Sequence, residues 1–191
     1  ITIERELTLS TTKGSNNMST RSTLTIKTDK TTINFYRHMD GYVAKAGNTL
    51  LHLLDKVVND KSAWQHPGVK LAEEIIKQQY GTGEQGIDRA KYELTNDPKL
   101  HGDREYHYEV KIDHSWPYNV DFTKNNITIS VHEYGYDKCE SNDGLYFQGN
   151  LEQYKKYVAQ AVAEQDKRIK AYEEKLTKRP ITVTGRRTQK V

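Results

Sequence analysis

Residues 22–37, STLTIKTDKTTINFYR, decide the fold. Leu24 and Ile26 alternate with Thr23, Thr25 and Lys27. After Thr28-Asp29-Lys30-Thr31 the alternation resumes, with Ile33 and Phe35 against Asn34 and Tyr36. A side-chain period of two with one apolar set marks a strand buried on one face, and the short polar interval closes two such strands into a hairpin. The second strand runs straight into Tyr36-Arg37-His38-Met39-Asp40-Gly41-Tyr42, where Gly41 lets the backbone turn out of the sheet.

On the C-terminal side, Asn48-Thr49 is expected to cap a helix whose Leu50, Leu51, Leu54, Val57 and Val58 fall at helical spacing. Val69, Leu71, Ala72, Ile75 and Ile76 mark a second helix after Pro67-Gly68. Residues 81–104 hold three glycines within six residues, Pro98 and many charges, so they read as a long loop and a candidate binding segment, with one helical turn near Arg89 to Leu94. Tyr106, Tyr108, Val110 and Ile112 form a third alternating strand, and Ile127, Ile129 and Val131 a fourth. Residues 151–176 are helical throughout, with a thin apolar stripe. The second half of that helix, Glu164 to Glu174, is nearly all polar, so it protrudes or pairs with another copy as a homodimer. The expected architecture is α+β, a roughly four-stranded antiparallel sheet packed by two or three helices, one of them a long C-terminal helix. Residues 18–177 make the single domain. Residues 1–17 read as an N-terminal extension ending in a Gly-Ser-Asn-Asn linker, and residues 178–191 as a flexible basic tail.

Composition narrows the function classes. At 191 residues the chain suits one domain plus tails, and its net charge of +3 is too small to draw the whole protein onto nucleic acid. Apolar runs are short and no charged-then-apolar leader opens the chain, so a cytoplasmic protein with no membrane partner is expected. The single cysteine, Cys139, excludes an internal disulfide. Thirteen tyrosines against three phenylalanines favour partly wet aromatic surfaces.

The chemical motifs are few. Gly81-Thr82-Gly83-Glu84-Gln85-Gly86 follows a helix, whereas a dinucleotide fingerprint must follow a strand and open a helix. No cofactor is expected. His38, His107, His114, His132, Cys139, Asp40 and Glu133 lack ligand spacing, so no metal is expected either. His38 and Asp40 share one side of an extended segment and form a minimal base-and-acid pair, but no nucleophile elbow accompanies them. The cluster suits recognition better. Arg37 offers a bidentate fork for phosphate or carboxylate, with Arg21 on the neighbouring strand as a second charge; Tyr36 and Tyr42 can stack on a base; His38 and Asp40 can read hydrogen-bonding edges. The competing reading packs Tyr36 and Tyr42 under the first helix and pairs Arg37 with Asp40. A different surface, Lys178, Arg179, Arg186, Arg187 and Lys190 in the tail together with the long helix, would serve nucleic acid through phosphate neutralisation.

Met18-Ser19-Thr20-Arg21-Ser22-Thr23-Leu24 followed by Tyr36-Arg37-His38-Met39-Asp40-Gly41-Tyr42 resembles a group of small bacteriophage and prophage proteins. They begin with a similar STRST segment and carry a tyrosine, a histidine, often a tryptophan, then Asp-Gly-Tyr-Pro. This chain has Met39 at the tryptophan position and Val43 at the proline position. The resemblance covers about the first third of the chain from Met18 and implies a viral setting. There the partner would be a host protein, or a small nucleotide signal held out of reach of a host defence.

Overall fold

The computed structural model describes residues 20–62, 66–79, 92–113, 126–134 and 144–177. Its strands are β1 (Ser22–Lys27), β2 (Thr32–Arg37), β3 (Tyr92–Leu94), β4 (Tyr106–Ile112), β5 (Ile127–Glu133) and β6 (Leu145–Asn150). Its helices are α1 (Asn48–Asn59), α2 (Pro67–Gln79) and α3 (Leu151–Thr177).

The hairpin forms as its alternation dictates. Thr28 closes the turn, its backbone N–H donating to the Thr31 carbonyl at 2.8 Å and its hydroxyl accepting from Thr31 N–H at 2.9 Å. Leu24 then faces Phe35 and Ile26 faces Ile33 across the two strands. The sheet, however, has six strands in the order β3-β2-β1-β4-β5-β6, where four were expected. It is also mixed, because β1 and β4 run parallel while every other pair is antiparallel. Part of the stretch read as loop with a helical turn supplies the short edge strand β3, and β6 forms the other edge.

Alternation carried across all six strands divides the sheet into two unlike faces. Leu24, Ile26, Phe35, Tyr108, Val110, Ile112, Ile127, Ile129 and Val131 join α1, α2 and the first half of α3 in one buried core. The opposite face carries Thr23, Thr25, Asn34, Tyr36, His107, Glu109, Ser130 and His132. Such a polar face is what an antiparallel-rich sheet leaves when helices cover only one side.

α1 does not start at an Asn48 cap. A π-helical turn, Val43–Gly47, leads into it, and no side chain caps its first amides. Between α1 and α2, buried Glu74 holds Lys56 at 2.8 Å and Lys77 at 2.9 Å. α3 begins with reciprocal bonds: Gln153 N–H donates to Asn150 Oδ1 at 3.0 Å, and Asn150 N–H to Gln153 Oε1 at 2.9 Å. This is the capping-box pattern. Beyond Val162 the helix leaves the core, and Ile169, Tyr172 and Leu176 are exposed. None of the described helices is long and apolar enough to cross a membrane.

Candidate functional site

The candidate residues converge where β2 ends, but strand alternation splits them. Tyr36 points to the polar face and Arg37 into the core, so they do not form one surface. Arg37 is only 1% exposed. Its Nε donates to the Met39 carbonyl at 2.6 Å, its Nη1 to the Tyr92 hydroxyl at 2.8 Å, and its guanidinium lies 5.2 Å from the Tyr92 ring centre. The expected Arg37–Asp40 pair is replaced by this inward arrangement, and Arg37 is not placed to receive a phosphate from solvent.

Tyr36, 4% exposed, is enclosed by residues from the stretch read as a loop. Its ring stacks on His101 at 3.9 Å and meets His38 edge-on at 4.7 Å. Its hydroxyl donates to both Asp103 oxygens, at 3.1 and 3.2 Å. Burial, reinforced by the Asp103 charge, pushes its pKa up to about 12, so the phenol stays neutral. Asp103 also receives Arg21 at 2.9 Å, and His38 Nε2 sits 2.9 Å from Glu93 Oε1. Glu93, His101 and Asp103 thus complete the cluster. They were not singled out as residues, although their segment was named as a binding candidate.

The chain then turns through His38 to Tyr42. Met39 is 48% exposed, and Asp40 adopts the left-handed conformation, with φ 54°. That region is uncommon for residues other than glycine, though aspartate enters it more readily than most. Buried groups hold the turn from beneath. Besides Arg37 on the Met39 carbonyl, the Tyr108 hydroxyl donates to the Gly41 carbonyl at 2.8 Å. Gly41 N–H donates to the Thr20 carbonyl at 2.9 Å, and Ala46 N–H to the Asp40 carbonyl at 3.2 Å. Among the described residues no hydrogen bond or ion pair reaches the Asp40 carboxylate. His38 therefore has Glu93, not Asp40, as its acidic neighbour. Tyr42 leads into the π turn and is partly exposed.

Further along the polar face, His107 Nδ1 lies 2.8 Å from the Thr23 hydroxyl, and its ring is 5.9 Å from that of His132. Burial, with Arg104 nearby, lowers the His107 pKa to about 3, so this imidazole is neutral. The described residues hold no group of three or more His, Cys, Asp or Glu able to bind a metal ion. The tail residues Lys178, Arg179, Arg186, Arg187 and Lys190, the glycine-rich stretch 81–86, Cys139 and the 1–17 extension lie outside the described residues.

The arrangement can present a fixed turn with one apolar and one anionic side chain, flanked by the Arg21–Asp103 ion pair and the His38–Glu93 contact. No family model, curated protein or solved structure matches the chain.

Proposed function

We propose that the chain is a non-enzymatic binding protein that docks the His38–Tyr42 turn onto another protein. The STRST and Tyr-x-His-x-Asp-Gly-Tyr resemblance adds the setting: a phage-type accessory protein that counters a host defence factor. One observation carries the docking reading. A turn that exposes Met39 and, among the described residues, leaves the Asp40 carboxylate unengaged is fixed by two buried side chains, Arg37 and Tyr108. An unusual backbone conformation persists only where its surroundings over-determine it, and a preordered turn loses little entropy on binding. Methionine supplies an adaptable apolar contact, while an aspartate that no described residue engages is open to a lysine or arginine of the target.

A nucleotide ligand has less support. Arg37 is interior, Tyr36 is already covered by His101, and Arg21 is engaged by Asp103. The hydrolytic alternative loses its intended pair, because His38 lies against Glu93.

The test is affinity purification from host cells with three chains: wild type, Met39→Ser and Asp40→Gly. Glycine suits the left-handed conformation, so Asp40→Gly should keep stability within about 1 kcal/mol of wild type. The expected result is a stoichiometric partner on wild type that both variants lose while still folded. Undiminished capture by both variants would refute the docking role of the turn.

A further inference from the structure

Away from that turn, aromatic rings gather round one carboxylate. Glu133 ends β5 on the helix-covered side of the sheet, directly across from Tyr106 on β4. Its carboxylate accepts hydrogen bonds from the Tyr106 and Tyr146 hydroxyls. Tyr157, reaching over from α3, lies within the field of both Glu133 and Tyr146. Its ring stacks on Phe147 with centres 4.7 Å apart and planes 14° from parallel. Glu133 and all four aromatic residues are half-buried, so the group meets solvent at the margin of the core.

The electrostatics of this cluster are unbalanced. Burial raises the Glu133 carboxyl above its usual range, and Glu105 beside it is raised by burial and by the Glu133 charge. Two phenol hydroxyls satisfy hydrogen bonding without neutralising that charge. Among the described residues no lysine, arginine or histidine pairs with Glu133. Aromatic rings carry the negative side of their quadrupoles on their faces, and a cation is attracted there.

We propose that Glu133, Tyr106, Tyr146, Tyr157 and Phe147 form a binding site for an organic cation of the alkylammonium class. The carboxylate answers the charge, and the rings answer the carbon atoms attached to nitrogen. A hard divalent ion fits poorly, since it needs about six oxygen ligands and, among the described residues, Glu133 and Glu105 belong to no group of three or more His, Cys, Asp or Glu that could hold one. The site is independent of the His38–Tyr42 reading and can stand or fall without it.

The test is a titration of the full chain with choline, putrescine and N-acetyl-trimethyllysine amide, following tyrosine ring signals by NMR against potassium chloride at matched ionic strength. The first two probes stand for a free small cation and the third for a protein side chain. The structure predicts saturable shifts at Tyr106, Tyr146 and Tyr157 with at least one probe, weakened about tenfold or more in Glu133→Gln. If Glu133→Gln does not fold, Tyr157→Leu decides, because it keeps the carboxylate and removes one ring. No saturable shift with any probe, equal shifts with potassium chloride, or undiminished binding in the deciding variant would overturn the proposal.

Discussion

A Cβ atom on Gly41 would come within 2.6 Å of the Arg21 carbonyl carbon and 2.8 Å of Ser22 Cβ. Ser22 opens β1, and Arg21 just before it is held by Glu105 N–H donating to its carbonyl at 2.9 Å, so neither can swing aside. Gly41→Ala should therefore cost about 1–3 kcal/mol in urea unfolding, and stability equal to wild type would mean that the turn is held less tightly than described. Gly41 was legible in the sequence as the residue that turns the chain. Strand alternation sets the side chains of Tyr36 and Arg37 on opposite faces, yet the two were read from the sequence as one recognition surface. The destination of Arg37 was not legible. A guanidinium in the core requires acceptors, and they come from the Met39 carbonyl and from Tyr92, which lies 55 positions away. Tyr36 was proposed as a stacking surface, and an exposed aromatic and one covered by His101 read alike in a single chain.

Among the elements, β1, β2, β4, β5 and all three helices follow from apolar periodicity. β3 and β6 did not show. Tyr92-Glu93-Leu94 is too short to establish a period, and Leu145 to Asn150 mixes aromatic, polar and glycine residues because it forms an edge. The parallel β1–β4 pairing was equally hidden, since it joins segments about 80 residues apart through contacts that no local pattern encodes. The start of α3 carried a signal that was passed over. Asn150 and Gln153 stand three apart, the spacing of a reciprocal cap, whereas the Asn48 cap expected for α1 gave way to the π turn. Asn150→Ala should cost about 1 kcal/mol, measured by thermal unfolding, with faster amide exchange confined to the first turn of α3. Unchanged exchange there would show that packing of Leu151 and Tyr154 alone fixes the helix start.

The molecule as a whole should lose stability in acid through His107. Its pKa is about 3 in the folded chain and near 6.5 when unfolded, so between those values the unfolded state binds more protons. The contribution is complete above about pH 6.5 and is lost as pH falls, by up to about 1.4 kcal/mol per pH unit. Glu105 and Glu133 act with the opposite sign. Their raised folded values add stability below about pH 4.5 that is lost as pH rises. The comparison that isolates His107 is therefore wild type against His107→Gln, followed from pH 6.5 to 5 by urea unfolding. Wild type should weaken more steeply, and parallel curves would mean that His107 is as hydrated folded as unfolded.

At the opposite end of the hairpin from its tight turn, the fixed, exposed loop is the proposed contact with a partner. A photo-crosslinking residue in place of Met39, compared in host cells with the same residue in place of exposed Lys30, would trap that contact. The expected outcome is one dominant crosslinked protein at position 39, absent at position 30 and suppressed when Asp40→Gly is added. Identical crosslinking at both positions, or none at position 39 from a folded chain, would contradict it.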